Sequence, residues 1–284
     1  MKKAKIIVLS GQSNAVGVGH IKYLEKNFTP AKIKEYLDGY ENIKINYYSH
    51  NKKSEGFTAT TTNCTELRND TLGPEVGIAE HLNSVFPGDE YFIVKFAMGG
   101  ASLTRDFLSP SSGGYYNVEN FKNEYPNFMD TFFTGKPTKA GWCFNGLVSI
   151  LKDSIAYLEE KGYCPEIIGF CWMQGESDAN SLEQVNNYKI YFDNFINDFK
   201  NEFSKYLKEC IFVDAGISPV WSCYKEMNAF KKDYASKHKG FVYVDTIENG
   251  LTTQYEPTDA PDIYHYDSES VIKLGKLFIK NIIP

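Results

Sequence analysis

Short apolar segments alternate with amphipathic segments along the whole sequence. Strands are predicted near 6–9, 43–48, 91–97, 167–172, 211–213 and 241–244, and helices near 31–37, 74–86, 144–161, 181–207, 226–237 and 267–282. Strands and helices that alternate in this way pack as a parallel sheet with helices on both faces. We therefore predict an α/β fold with a doubly wound, flavodoxin-like parallel sheet. Because no linker or repeat divides the sequence, residues 1–284 are predicted to form one domain.

Two regions interrupt this alternation. Residues 51–72 are rich in Thr, Asn and Lys and are predicted to form a long loop. Residues 104–140 are irregular but strongly aromatic, with Tyr115, Tyr116, Phe121, Tyr125, Phe128, Phe132 and Phe133. Disordered segments lack aromatic residues, so this insertion is predicted to form the rim of a functional site. The alternative is an aromatic side cluster that covers an edge of the sheet.

Composition excludes several classes of partner. The 30 Lys and Arg residues against 36 Asp and Glu give a net charge of -6, and no basic cluster is present that would attract nucleic acid or an anionic membrane. No apolar run approaches the roughly 20 residues of a membrane span, and the first run is too short for the core of a signal peptide. The 6 cysteines are far apart and lack metal-ligand spacing, which predicts free thiols in a cytoplasmic, globular protein without a metal site.

The first predicted strand ends at Gly11-Gln12-Ser13-Asn14. Open α/β sheets place their chemistry at the carboxyl ends of parallel strands, so this turn delivers Ser13 to the functional edge. A serine hydroxyl is a weak nucleophile at neutral pH and needs a neighbouring base. Ser13 is therefore a candidate nucleophile. The alternative is a plain β-turn in which Ser13 and Asn14 are turn formers.

His265 is the candidate base among the 5 histidines, because His81 and His238 lie in predicted helices and His50 in a polar loop. The segment Asp262-Ile263-Tyr264-His265 directly precedes the last predicted helix, so Asp262 can reach the imidazole Nδ1 and leave Nε2 to face Ser13. The alternative is a helix-entry turn with a surface histidine. Rival candidates for the orienting acid, each after another strand, are Glu176, Asp214 and Asp245.

Ester hydrolysis also needs hydrogen-bond donors directed at the developing oxyanion. Gly99-Gly100 follows the third predicted strand, and the Gly100 N–H can approach a substrate closely because the residue has no side chain. The Ser13 N–H and the Gln174 side-chain amide are the other candidate donors. Alternatively, the two glycines form a strand-to-helix turn and Gln174 stabilises a turn.

Five motifs together resemble a known family: Gly-Gln-Ser-Asn at 11–14, Gly-Pro-Glu at 73–75, Gly-Gly-Ala-Ser-Leu at 99–103, Trp-Met-Gln-Gly-Glu-Ser-Asp at 172–178 and Asp-Ile-Tyr-His at 262–265. They look like the motif series of the sialate O-acetylesterase-like proteins, carbohydrate esterase family six, within the SGNH hydrolase superfamily. The resemblance covers nearly the whole chain, and the Trp-x-Gln-Gly-Glu signature is its most specific part.

The resemblance implies a role for each matching residue. Ser13 would be the nucleophile, His265 the general base and Asp262 the acid that orients it. The N–H groups of Ser13 and Gly100 and the amide of Gln174 would form the oxyanion hole, with support from Gln12, Asn14, Gly99 and Glu176. Ala101 departs from the Thr or Ser that the family often shows at this position, which affects a minor polar contact. No metal or organic cofactor is implied.

Together these residues predict an enzyme that hydrolyses O-acetyl groups from a small saccharide, of the acetylxylan or sialate type, through a Ser-His-Asp triad and an acyl-enzyme. Trp142, Tyr115 or Tyr116 are predicted to stack against the sugar, and Arg105 is predicted to be a surface residue. There are two alternative functions. One is a short-chain acyl esterase or lipase-like hydrolase of broader specificity, and the other is a non-catalytic glycan-binding protein on the same fold.

Overall fold

The computed structural model describes residues 2–50, 52–64, 70–125 and 139–284. Its strands are β1 (Lys2–Gly11), β2 (Gly19–His20), β3 (Tyr40–Ser49), β4 (Lys52–Lys53), β5 (Thr58–Thr60), β6 (Thr71–Leu72), β7 (Tyr91–Ala97), β8 (Tyr163–Met173), β9 (Ile211–Ala215) and β10 (Phe241–Val244). Its helices are α1 (Ser13–Val16), α2 (Ile21–Leu24), α3 (Pro30–Asp38), α4 (Pro74–Val85), α5 (Phe121–Glu124), α6 (Trp142–Glu160), α7 (Leu182–Glu202), α8 (Tyr224–Lys237) and α9 (Ser268–Ile282). Short 3₁₀ turns cover Pro110–Ser112, Val118–Asn120 and Glu176–Asp178. None of the helices in these ranges combines the length and the apolar character that crossing a membrane requires.

The central sheet is built on six parallel strands in the spatial order β10-β9-β8-β1-β7-β3. β4 and β5 pair antiparallel with β3, and β2 pairs with β6 in a separate small sheet. Gly169 of β8 packs against Ile282 of α9, whereas the next residue, Phe170, packs on Phe199 of α7. Successive strand side chains point to opposite faces, so helices cover both. The predicted α/β class and the doubly wound parallel sheet flanked by helices are confirmed.

β1 lies where the winding direction of the sheet reverses. If the six parallel strands are numbered in chain order, their spatial order is 2-3-1-4-5-6. In flavodoxin the order is 2-1-3-4-5, so the second strand borders the first there, whereas here the third strand lies between the first and the second. The chain leaves β1 toward β3 on one side and later adds β8 on the other. The carboxyl ends of β1, β7 and β8 therefore flank a crevice of the kind in which open α/β sheets bind ligands.

Two glycines allow α4 and α9 to pack with their backbones in close contact. A Cβ on Gly77 of α4 would lie 1.9 Å from the Ile272 carbonyl oxygen of α9, and a Cβ on Gly275 of α9 would lie 1.9 Å from the Pro74 carbonyl oxygen of α4. Only glycine permits this backbone-to-backbone approach. This contact fixes the segments that precede α4 and α9 relative to each other. The segment that precedes α9 contains His265.

The two predicted insertions pack against the sheet. Residues 52–64 and 70–72 contribute β4, β5 and β6 within the region predicted as a loop. In the aromatic insertion Phe107, Phe121 and Tyr125 are buried in the core. These side chains fit the alternative of an aromatic side cluster better than a site rim. Three further aromatic residues of the prediction, Phe128, Phe132 and Phe133, lie outside the described residues.

Candidate active site

A glycine places Ser13 at the crevice. Gly11 ends β1 with a φ of 141°, and a Cβ there would lie 1.9 Å from the Met173 carbonyl oxygen. Glycine therefore lets the ends of β1 and β8 approach closely, and the Gln12 N–H donates to Met173 O at 2.9 Å. α1 begins at Ser13, so the serine lies at the carboxyl end of the central strand.

An open pocket of 580 Å³ lies at this edge of the sheet. Its lining residues are Gln12, Ser13, Val16, Val18, His50, Gly99, Gly100, Ser177, Trp221, Tyr264 and His265. The pocket thus brings together the predicted nucleophile, the predicted base and the Gly99-Gly100 turn. Its volume is typical of sites for small molecules.

Asp262 and His265 form the predicted pair. Asp262 Oδ2 lies 2.6 Å from His265 Nδ1. The other carboxylate oxygen, Oδ1, accepts from the Tyr264 N–H at 3.1 Å, which fixes the carboxylate within the turn. A carboxylate only accepts hydrogen bonds, so Nδ1 carries the imidazole proton and Nε2 is left as an acceptor.

The rival carboxylates are engaged elsewhere. Asp214 forms a buried ion pair, Glu176 accepts a hydrogen bond from a buried side-chain amide, and Asp245 accepts from backbone N–H groups of an exposed turn. Within the part of the chain that the structure describes, Asp262 is the carboxylate that hydrogen-bonds His265. The geometry therefore favours Asp262 as the orienting acid.

The candidate oxyanion donors are the backbone N–H groups of two residues that line the pocket. These residues are Ser13 and Gly100. Among the described residues, no hydrogen-bond acceptor is bound to either N–H. The Gly100 carbonyl oxygen accepts from Ser177 Oγ at 3.1 Å, which holds the Gly99-Gly100 turn against the loop that follows β8. Both N–H groups remain available to a substrate oxygen.

Gln174 does not line the pocket, contrary to the prediction that its amide faces the oxyanion. The side chain is fully buried, and its Nε2 lies 2.6 Å from Asp178 Oδ2, 3.2 Å from the Ala101 carbonyl oxygen and 3.3 Å from Gln12 Oε1. The 3₁₀ turn after β8 brings in the Asp178 carboxylate, which is the strongest of these acceptors. Gln12 Oε1 also accepts from the Ser177 N–H at 3.0 Å. Gln12 thus connects the pocket lining to the buried Gln174 and to the loop that follows β8.

Asn14 and Glu176 meet in the core beside Ser13. Asn14 Nδ2 donates to Glu176 Oε1 at 2.9 Å, and both residues are buried. Burial raises the pKa of the Glu176 carboxyl, and the hydrogen bond from Asn14 opposes that rise. The predicted supporting role of both residues is consistent with this contact.

A buried lysine holds the far end of α1. Lys95 of β7 is fully buried, and its Nζ donates to Glu75 Oε2 at 2.6 Å and to the Val16 carbonyl oxygen at 2.7 Å. Glu75 is the acid of the Gly-Pro-Glu motif; burial raises its pKa, and the charge of Lys95 opposes the rise. The motif therefore fixes the helix that begins at Ser13.

A second buried lysine holds the loop after β8. Lys231 of α8 donates from Nζ to Asp214 Oδ1 at 2.7 Å, to the Gln174 carbonyl oxygen at 2.5 Å and to the Ala215 carbonyl oxygen at 2.8 Å. Burial raises the pKa of Asp214 to about 6, and the charge of Lys231 opposes the rise. The rival acid Asp214 thus belongs to the support of the crevice.

The aromatic wall of the pocket differs from the one predicted. Trp142 is 1% exposed and donates from Nε1 to Asp106, while Tyr115 and Tyr116 bond acidic side chains outside the pocket. The prediction that Trp142 stacks against the sugar is therefore wrong, and Tyr115 and Tyr116 do not line this pocket. The aromatic pair at the pocket is Trp221 and Tyr264, whose ring centroids are 5.3 Å apart.

Sequence reasoning missed His50 and Trp221 as pocket residues. His50 directly follows β3, and Trp221 lies in the loop after β9, so the strand-end rule that selected Ser13 and Gly100 applies to both. Arg105 is 58% exposed and lies 3.6 Å from Asp106 Oδ1, as expected for a surface residue.

Comparison with known proteins identifies the family. A family model described as carbohydrate esterase, sialic acid-specific acetylesterase, matches residues 3–284, and no curated protein matches the sequence. A solved structure of an Arabidopsis thaliana protein has 16% identity and a TM-score of 0.63 over 99% of both chains. NanS has 14% identity and a TM-score of 0.66 over 99% of this chain and 97% of its own. A carbohydrate acetylesterase from Xanthomonas citri has 14% identity and a TM-score of 0.59 over 98% of this chain and 56% of its own.

At these identities the solved structures establish the fold alone, and the family match establishes the class of enzyme. This chain belongs to the carbohydrate esterase family of sialic acid-specific acetylesterases and is a carboxylic ester hydrolase.

Proposed function

We propose that the protein is a serine esterase that removes O-acetyl groups from a small saccharide. The observation that carries this proposal is the 2.6 Å contact between Asp262 Oδ2 and His265 Nδ1 at a pocket that Ser13 and Gly100 also line. A nucleophile, a base, an orienting acid and backbone donors are the parts that acyl transfer needs. The proposal takes residues 1–284 as one catalytic domain.

The reaction would begin with attack of Ser13 Oγ on the acetyl carbonyl carbon while His265 Nε2 accepts the hydroxyl proton. The new bond to Oγ moves the carbonyl π electrons onto the oxygen. Collapse of this intermediate breaks the bond to the sugar oxygen, which takes the proton from His265. Water then attacks the acetyl group on Ser13, with His265 again as base, and acetate leaves as Oγ recovers its proton. Asp262 stays ionised and holds the imidazole throughout.

The N–H groups of Ser13 and Gly100 would bind the oxyanion in both halves of the reaction. Preorganised donors of this kind act at low cost, since they need no reorientation as the charge develops. Gln174 is not part of the proposed oxyanion hole, because its buried amide donates to Asp178 and the residue does not line the pocket.

Trp221 and Tyr264 support a saccharide as the leaving group. Tyr264 is next to His265 in sequence, and His265 must protonate the leaving oxygen, so in this proposal the aromatic pair would contact the leaving group. The apolar C–H faces of sugars pack on aromatic rings of this kind. The acetylesterase description of the family and the carbohydrate acetylesterase among the structural neighbours point the same way.

The proposal is tested by acetate release from p-nitrophenyl acetate, p-nitrophenyl butyrate, an acetylated xylooligosaccharide and an O-acetylated sialic acid. We expect the acetyl ester to be preferred to the butyryl ester and Ser13→Ala to lose at least about 10³-fold in kcat. Ser222→Ala is the matched control, since Ser222 is an exposed serine beside Trp221.

Three results would contradict the proposal. A Ser13→Ala enzyme as fast as the wild type would exclude Ser13 as the nucleophile. Butyrate turned over as well as acetate would favour the broader acyl esterase. A wild-type protein that binds the acetylated sugars but hydrolyses none of the four esters would favour the glycan-binding alternative.

A further inference from the structure

Asn14 joins three segments of the candidate site. Its Nδ2 donates to Glu176 Oε1 at 2.9 Å and to the Tyr264 carbonyl oxygen at 3.4 Å, and its Oδ1 accepts from the Tyr266 N–H at 2.9 Å. The residue that follows the nucleophile is therefore bonded to the backbone on both sides of His265. All of these contacts except the one to Tyr264 lie in the buried interior.

Glu176 reinforces the orientation of the Asn14 amide. If the amide were turned by 180°, its NH₂ group would face the Tyr266 N–H and two donors would meet, while its oxygen would face the Tyr264 carbonyl oxygen. An ionised carboxylate accepts hydrogen bonds and cannot donate, so Glu176 attracts Nδ2 and favours the same orientation. The contact that anchors the His265 loop is thus supported by an acid on a different strand end.

We propose that Glu176 is a positioning residue of the triad, which acts through Asn14 to fix the backbone of residues 264–266 and with it the imidazole of His265. The inference rests on the proposed function, since it takes His265 as the base. It assigns a task to the acid of the Trp-x-Gln-Gly-Glu signature, whose carboxylate is fully buried.

The charge of Glu176 also acts on the site. Burial raises the pKa of Glu176, while the hydrogen bond from Asn14 and the positive charges of Lys231 and protonated His265 lower it. The other titratable groups that interact with this carboxyl are Asp214, Tyr188 and Tyr266. Electrostatic coupling is mutual, so the Glu176 carboxylate favours the imidazolium that forms when His265 takes the Ser13 proton.

Glu176→Gln tests the role of the carboxylate. The substitution keeps the size and one acceptor oxygen, but it removes the charge that attracts Asn14 Nδ2 and leaves the backbone of Tyr264 and Tyr266 to orient the Asn14 amide. For p-nitrophenyl acetate we expect kcat to fall about tenfold with KM unchanged within about twofold. A residue with a merely structural role would lower the activity only as far as it lowers the folded fraction, so the split between kcat and KM is read beside thermal unfolding.

Asp245→Asn is the matched control for loss of a carboxylate. Asp245 follows β10 at the same edge of the sheet and is partly exposed, with its Oδ1 bound to backbone N–H groups that an asparagine oxygen can also satisfy. We expect its kcat to match the wild type.

A swapped pair tests whether Glu176 acts through Asn14. Asn14→Asp alone sets two carboxylates against each other in the core, and we expect a loss of about 100-fold in kcat. Combining it with Glu176→Gln restores two of the three hydrogen bonds, since the new amide donates to the new carboxylate and the carboxylate still accepts from the Tyr266 N–H, whereas the longer bond to the Tyr264 carbonyl oxygen stays lost. The double variant should therefore recover at least about tenfold in kcat over Asn14→Asp. Thermal unfolding is measured for every variant, so that rates are compared only between folded enzymes.

The inference is overturned if folded Glu176→Gln keeps the wild-type kcat, or if the double variant is no faster than Asn14→Asp. If Glu176→Gln fails to fold, the comparison of the other two variants decides. Ser13→Ala, measured in parallel, separates this outcome from failure of the proposed function. An active Ser13→Ala enzyme would remove the triad itself, whereas an inactive one beside an unaffected Glu176→Gln would remove the role of Glu176 alone.

Discussion

Asp262→Asn is the most direct test of the triad. In the structure the Tyr264 N–H donates to Asp262 Oδ1, and Oδ2 lies against His265 Nδ1. In the variant that N–H selects the amide oxygen, so the NH₂ group is left facing Nδ1. The imidazole must then accept at Nδ1 and carry its proton on Nε2, which is the tautomer that cannot take a proton from Ser13.

The size of the loss follows from the exposure of the pair. Removing the acid of a deeply buried triad costs about 10⁴ in kcat. Here the Asp262 side chain is 42% exposed and that of His265 is 28% exposed, so water screens the electrostatic part of the effect while the tautomer part remains. We expect kcat to fall by about 10²- to 10³-fold, which corresponds to ~3 to 4 kcal/mol of activation free energy.

The assay is initial-rate hydrolysis of p-nitrophenyl acetate near pH 8, with thermal unfolding as a check of the fold. KM should change little, because Asp262 does not line the pocket. Asp259→Asn, an exposed acid in the same loop, is the control and should match the wild type. A loss smaller than about threefold in folded Asp262→Asn would refute the reasoning and return the choice of acid to its rivals.

The other predictions concern the pocket wall and the two buried ion pairs. Trp221→Ala should raise KM for an acetylated saccharide roughly tenfold while kcat/KM for ethyl acetate, whose leaving group is too small to reach the ring, stays within about twofold; equal losses on both esters would contradict a sugar-binding role. Lys95→Met leaves Glu75 buried without its cation and should cost ~3 to 5 kcal/mol in free energy of unfolding at pH 8. The cost should be smaller at pH 5, because Glu75, whose pKa burial already raises, takes up a proton; urea unfolding that gives the same cost at both pH values would contradict this account. Burial raises the pKa of Asp214 to about 6, above its value in an unfolded chain, so the folded state binds this proton more tightly. Its contribution to stability should therefore be largest near pH 4 and be lost as the pH rises to about 6. If the free energy of unfolding of the wild type minus that of Asp214→Asn instead increases with pH over this range, the sign is refuted.

Much of the fold and the candidate catalytic residues could be predicted from the sequence, because both depend on its periodicity and on the topology of the sheet. The order of strands and helices implies that strand ends meet at one edge, and this placed Ser13, Gly100 and His265 at one pocket. The sequence motif Asp262-Ile263-Tyr264-His265 spans so short a turn that its hydrogen bond is a local property.

The supporting contacts depend on which of several partners comes closest, and a strand-end rule does not determine that. Gln174 has the residue type and position of an oxyanion donor, but the turn that places Asp178 beside it draws the amide inward. Trp142 has the residue type of a sugar platform, but α6 begins there and buries it. Lys95 did carry a signal: a lysine within the apolar run Tyr91–Ala97 needs a buried anion, and Glu75 supplies it.

The hydrogen bond between the Tyr266 N–H and Asn14 joins residues that are 252 positions apart in the chain. Closing so long a segment of chain costs entropy, and the contact cannot form until the C-terminal residues are present. α4 and α9, locked at Gly77 and Gly275, complete that closure on one face of the sheet. A partly folded or still emerging chain can therefore present Ser13 without His265. Ester hydrolysis by this protein should appear only when the last helix has docked, which makes activity a reporter of finished folding.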